Sequence, residues 1–206
     1  MNGGQWLKKC FTSIRKPTSP EKRNIVAIGG GGFAADGDLK IENYILKMTR
    51  VHRPSIGFIP TATGDATEYI IRFYDACSRL SCRPTHLGMF ARTPDLREWV
   101  FAQHVIFVGG GNTKSMLGVW REWAFDEVLR DAWESGVILS GVSAGAICWF
   151  EQGSTDSYAN CLTSLDCLGF LSGSCCPHYD AEEERRPTFQ QMLRERKISS
   201  GIALDN

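Results

Sequence analysis

Val137-Ile138-Leu139-Ser140-Gly141-Val142-Ser143-Ala144-Gly145-Ala146-Ile147-Cys148-Trp149-Phe150 joins an apolar, strand-type run to a helix-compatible segment through Gly141-x-Ser143-x-Gly145. That is the context in which a G-x-S-x-G match reads as a nucleophile elbow, with the serine lifted from the sheet on a sharp strand-to-helix turn. Small residues on either side are a steric requirement, because a side chain at Gly141 or Gly145 would meet the neighbouring strand or helix. Ser143 is therefore the candidate nucleophile, and the rest of the chain is read for its partners.

Upstream, strand patterns alternate with helical spacing. Asn24 to Ile28 is a buried-strand pattern running into Gly29-Gly30-Gly31-Gly32, and helical spacing follows from Asp38 to Met48. Ser55 to Ile59, Pro84 to Met89 and His104 to Val108 read as strands; Thr67 to Leu80, Asp95 to Phe101, Ser115 to Trp123 and Asp126 to Trp133 read as helices. Thr93-Pro94 marks a helix start and Gly136 a helix stop. This alternation predicts an α/β fold with a mostly parallel central sheet covered by helices on both faces, and ligands at the carboxyl ends of the strands.

Two glycine runs fall at such ends. Gly29, Gly31 and Ala34 fit the dinucleotide pattern G-x-G-x-x-A, but the second strand ends in Pro60-Thr61-Ala62-Thr63 where that pattern needs an acid. A tight backbone crossing beside the active site is the stronger reading of this run. Gly109-Gly110-Gly111-Asn112 follows the strand ending at Val108, so an N–H of Gly110 or Gly111 can join that of Ala144 in holding an oxyanion, with Asn112 capping the next helix.

A serine hydroxyl needs a base, and the base needs a group to orient it. His52, His86 and His104 stand at surface or strand-end positions, whereas His178 sits in Ser174-Cys175-Cys176-Pro177-His178-Tyr179-Asp180, a loop stiffened by Pro177. Asp156, in a polar stretch read as a turn after the elbow helix, gives the order Ser, Asp, His; Glu151 and Asp166 are its rivals.

Composition excludes several other classes. Lys plus Arg equals Asp plus Glu at 23 each, with no basic stripe for a nucleic acid. No apolar stretch has the length of a membrane span. Eight cysteines without C-x-x-C pairs, several in apolar runs (Cys148, Cys161, Cys167), read as free thiols in a reducing cytoplasm. No His/Cys/Asp cluster has zinc spacing, so neither metal nor cofactor is expected. Residues 1–23 read as a mobile extension: no acid precedes Glu21, as in a targeting peptide, but Gly3, Gly4 and Pro17 weaken any helix.

The motifs Phe107-Val108-Gly109-Gly110-Gly111-Asn112-Thr113, Gly141-Val142-Ser143-Ala144-Gly145-Ala146 and Cys176-Pro177-His178-Tyr179-Asp180 resemble the serine peptidase family of aspartyl dipeptidase (dipeptidase E) and cyanophycinase, from about Asn24 onward. The resemblance implies a class I glutamine amidotransferase-like (flavodoxin-like) fold and hydrolysis of small peptides with an amino-terminal aspartate. It implies Ser143 as nucleophile, His178 as base, Asp156 as third member and Gly110, Gly111 and Ala144 as oxyanion hole. A guanidinium suits the substrate carboxylate; Arg186 or its neighbour Arg185 is the cation expected, the family pattern favouring Arg186. A hydrolase of β-aspartyl-arginine and an inactive binding module are the alternatives. The family usually continues with further strands beyond Gly201 to Asn206, so a shortened chain, or an edge covered by a partner such as a second copy, is expected.

Overall fold

The computed structural model describes residues 23–33, 38–159 and 161–206. The leading extension up to residue 22, and Ala34 of the glycine pattern, lie outside the described residues.

Five parallel strands lie side by side in the order β1 (Ile25–Ile28), β5 (Ile138–Val142), β4 (Val105–Val108), β2 (Ser55–Ile59) and β3 (Arg83–His86). The continuous apolar run of β4 reflects burial on both faces of its sheet. Val105 and Phe107 join the apolar cluster that takes Ile45 and Leu46 from α1 (Lys40–Met48) and Phe73, Ala76 and Cys77 from α2 (Thr67–Ser78). Ile106 and Val108 join the opposite cluster, with Val100 from α3 (Leu96–Phe101), Trp120 from α4 (Thr113–Glu122) and Leu129 from α5 (Phe125–Glu134). The two-residue period of the strand thus divides the helices between two faces, as the sequence pattern predicts.

Helix boundaries follow their caps. Asn112 accepts from the Ser115 N–H at 2.8 Å, and Asp95 accepts from Glu98 N–H at 2.8 Å. Pro94 stands just before that cap rather than inside the first turn. Gly136, at φ 93°, ends α5 with its N–H on the Trp133 carbonyl.

Beyond the elbow the sequence reading is corrected. Helix α6 covers only Ala144–Ile147, and the chain leaves it as β6 (Phe150–Tyr158), so Asp156 lies in a strand and not in a turn. The burial of Trp149 gives the reason. Its ring lies 6.3 Å from Trp120 and 5.6 Å from Phe170, a large apolar area best buried by leaving the helix. Strand β6 pairs antiparallel with β7 (Cys161–Asp166) and parallel with β8 (Leu171–Cys176), which pairs parallel with β9 (Gly201–Ala203). Helix α7 (Arg185–Arg194) lies between β8 and β9 in the chain. Ile147, Phe150 and Cys175, packed with Ala27 and Leu204, join the second sheet to the first.

The seven described cysteines are free thiols; Cys148 is buried as expected, but Cys161 is exposed and Cys167 half-buried. No helix among the described residues is long and apolar enough to cross a membrane.

A tight crossing in the first sheet lies at the elbow. A Cβ on Gly145 would overlap the Val108 carbonyl, and one on Gly141 would overlap the carbonyl of Gly145. Backbone atoms cannot swing aside, so we expect Gly145→Ala to lower stability by about 3 kcal/mol. Gly118, mid-helix in α4, has open space around its Cα, and Gly118→Ala should raise stability by up to about 1 kcal/mol. Guanidinium titration reads both as midpoint shifts in opposite directions at constant slope.

Candidate active site

Ser143 follows β5 with φ 54° and ψ −111°, a conformation that side chains other than glycine seldom adopt. Its N–H still bonds the Ile28 carbonyl at 3.0 Å, continuing the β1–β5 ladder, while its own carbonyl accepts from Ala146 and Ile147 of α6. Tied on both sides, the residue holds a strained geometry worth about 1–3 kcal/mol, and its side chain is half-buried.

His178 follows β8 across Pro177 and also has positive φ, at 52°. Its Nε2 lies 2.9 Å from Ser143 Oγ. On the other side of the ring, Nδ1 lies 2.6 Å from Oδ1 of Asn206. With a carbonyl-type oxygen facing it, Nδ1 carries the proton and donates, which leaves the Nε2 lone pair for the serine proton.

Asn206 is the residue the sequence reading missed. It reaches the histidine because residues 201–206 run beside 174–180: Leu204 N–H bonds the Cys176 carbonyl, Tyr179 N–H bonds the Leu204 carbonyl, and Asn206 N–H donates to Asp180 Oδ1 at 2.8 Å. The first glycine run lies under this pair. A Cβ on Gly30 would fall on Asn206 Oδ1 and stand 2.9 Å from His178 Nδ1, and one on Gly29 would overlap the Asp205 carbonyl. The run is a close backbone crossing here.

The carboxylates expected at this place are engaged elsewhere. Asp156 meets Arg185 Nη2 at 3.2 Å, and no hydrogen bond joins it to His178 among the described residues. Strand β6 aims it toward α7, which is why chain order misled. Glu151 accepts from Gly173 N–H at 2.7 Å, and Asp166 accepts from Gln152 at 3.1 Å.

The two arginines also separate. Arg185 is buried and internally paired, its guanidinium bonding Glu182 at 2.5 Å, and Asp156 and the Ser154 carbonyl at 3.2 Å. Buried and already paired with two carboxylates, it is not presented to a substrate carboxylate, so the reading of Arg185 as a substrate cation is corrected to an internal tie between β6 and α7. Arg186, one position on, is exposed and lies over the Tyr179 ring at 4.9 Å, next to His178. Successive helical residues point about 100° apart, which explains the split.

Around the serine, Gly110 stands close enough that a Cβ on it would lie 3.3 Å from Ser143 Cβ and 3.9 Å from Oγ. Its N–H, however, already donates to the Tyr69 hydroxyl at 3.2 Å. The Ala144 N–H opens α6 and has no intrahelical acceptor. Gly111, at φ 136°, takes a backbone shape open to glycine, and a Cβ there would overlap the Ala62 carbonyl.

Four buried or half-buried thiols do not compete with Ser143. Burial pushes up the Cys148, Cys175 and Cys176 thiols, and lifts that of Cys167 to about 12, so they stay protonated and weakly nucleophilic.

The sequence model of peptidase family S51 matches residues 25–206. An uncharacterized peptidase of Bacillus subtilis strain 168, YgaJ, is 50% identical over 186 residues, 89% of this chain and 80% of its own length. Among solved structures, a peptidase from an acI-B1 actinobacterium aligns with TM-score 0.63 and 19% identity, over 80% of this chain and 74% of its own. A Listeria monocytogenes EGD-e protein provisionally named peptidase E aligns with TM-score 0.59 and 20% identity, over 83% and 85%. These two structures share the fold, while the family model and the Bacillus relative carry the membership: this chain belongs to peptidase family S51.

Proposed function

We propose that this peptidase is a serine enzyme that removes an amino-terminal aspartate from small peptides through an acyl-enzyme. The observation that carries the reading is the 2.9 Å contact between His178 Nε2 and the Oγ of a serine held at positive φ on a strand-to-helix turn. His178 takes the Ser143 proton as Oγ attacks the carbonyl carbon of the aspartate. The resulting oxyanion faces the Ala144 N–H, with the Gly111 turn beside it. Imidazolium then protonates the leaving amine as the C–N bond breaks. A water attacks the ester, gives its proton to His178, and aspartate leaves as Ser143 regains its hydrogen. Asn206 fixes the tautomer without adding a charge, an arrangement that a Cys-His-Asn site also uses. Arg186 offers the exposed fork for the aspartate side chain. The free buried thiols support a cytoplasmic, reducing location.

A second substrate reading is favoured by the exposed Glu183 and Glu184, which follow His178 in the chain and suit an arginine side chain. β-Aspartyl-arginine offered beside an Asp-anilide separates the two. Fluorophosphonate labelling tests the competing account of an inactive binding module, since an inert Ser143 takes no label.

Ser143→Ala is expected to abolish Asp-anilide hydrolysis and fluorophosphonate labelling with an unchanged melting curve; retained turnover would falsify the nucleophile assignment. Asn206→Ala should lower kcat about a hundredfold through loss of ring orientation. Asp156→Asn should leave kcat within about tenfold while costing about 1 kcal/mol of stability, since its bond serves Arg185. The reverse ranking in steady-state kinetics would return the third position to Asp156. Arg186→Ala should raise KM for Asp-anilide with little recovery in Arg186→Lys, because an ammonium lacks the two-point fork; equal KM in wild type and variant would exclude Arg186 from the pocket.

A further inference from the structure

We propose that Tyr69 is a further catalytic residue, its hydroxyl donating a hydrogen bond to the oxyanion while the Gly110 N–H holds that hydroxyl in place. The inference rests on the reading of Ser143 as nucleophile. Tyr69 lies in the first turn of α2, its ring edge-on to Phe58 with centroids 5.0 Å apart and planes at 71°. Glycine at 109 makes room for it, since a Cβ there would stand 2.8 Å from Tyr69 Cε1. The phenol is thereby laid over the carboxyl end of β4, and its oxygen comes to 3.2 Å from the N of Gly110, the residue that stands against Ser143.

A phenol oxygen both accepts and donates. Here acceptance is taken by Gly110 N–H, and among the described residues no acceptor binds the hydroxyl's own hydrogen. A half-buried O–H with its donor capacity unused beside a nucleophile is suited to a charge that appears only during reaction. Accepting from an N–H polarises the O–H and strengthens it as a donor. Burial pushes the Tyr69 hydroxyl above the usual tyrosine range, against the opposing pull of Gly110 N–H and of the Arg72 guanidinium 5.1 Å from the ring. The group stays protonated at neutral pH. It also resolves a difficulty at Gly110, whose N–H cannot serve the oxyanion directly while it bonds Tyr69; the phenol passes that polarity on.

Tyr69→Phe tests this. With Asp p-nitroanilide, kcat should fall about a hundredfold, the usual cost of one lost oxyanion donor. KM and the affinity for free aspartate should stay within about threefold, because the interaction is made only in the transition state. Affinity for an aspartate analogue bearing a boronic acid, which forms a tetrahedral adduct on Ser143, should fall in parallel with kcat. A purely structural role would not produce that parallel. An unchanged kcat overturns the proposal, and so does a raised one, which would make Tyr69 a plug on Gly110. Fluorotyrosines incorporated at position 69 cover the case in which the phenylalanine variant fails to fold: kcat should depend on the acidity of the phenol, and a flat response overturns the assignment. A wild-type chain inert to both substrate and fluorophosphonate removes the Ser143 reading and this proposal together, whereas active wild type with an equally active Tyr69→Phe removes this proposal alone.

Discussion

Helix α6 sits so low on β4 and β5 that Gly145 rides on the Val108 carbonyl and Gly141 on the carbonyl of Gly145. With the helix start fixed there, the last residue of the turn has nowhere to go but into positive φ, and Ser143 occupies that place. Hydrogen bonds to Ile28 on one side and from Ala146 and Ile147 on the other keep it from relaxing. The strain is carried by the packing of a whole sheet, in which β4 is buried on both faces. A protein with a looser elbow would keep its α/β layers and lose the projection of the hydroxyl.

The second sheet answers the first. It is joined by Ile147, Phe150 and Cys175, and its β8 delivers His178 at the same level as Ser143. The imidazole is then gripped from behind by Asn206, over a floor of glycines at 29 and 30 that leaves room for both side chains. Arg185 secures the outside of this arrangement by tying β6 to α7, whereas Arg186 is exposed and lies over the ring of Tyr179, the residue after His178. Neighbouring residues of one type thus carry opposite duties, one structural and one facing solvent.

Much of this was readable from residues alone because local backbone geometry imposes local residue types. Gly141, Ser143 and Gly145 spell a strand-to-helix turn, Val105 to Val108 a doubly buried strand, and Asn112 a cap, each within a few positions. What escaped reading depends on pairing between distant segments. Asn206 reaches His178 through the β8–β9 register, and nothing within its own neighbourhood signals a partner 28 residues earlier. Asp156 was placed by chain order, which carries no information about where β6 points. Residues 185 and 186 could be assigned to different helix faces from periodicity, but which face turns inward is decided by β6, a strand hidden behind what read as helix and polar loop.

Strand β9 has three residues, all exposed, and is held by β8 along one side. Short edge elements with little buried apolar area open at a small fraction of the global unfolding free energy. In a parallel pair, moreover, a slip of one residue carries each side chain to the other face. The orienting amide of Asn206 is therefore borne by a short, exposed edge element, outside the buried clusters of the first sheet. In such a molecule the orientation of the imidazole is expected to be lost before the α/β layers melt, which would make catalytic competence a property of this margin before it is a property of the fold.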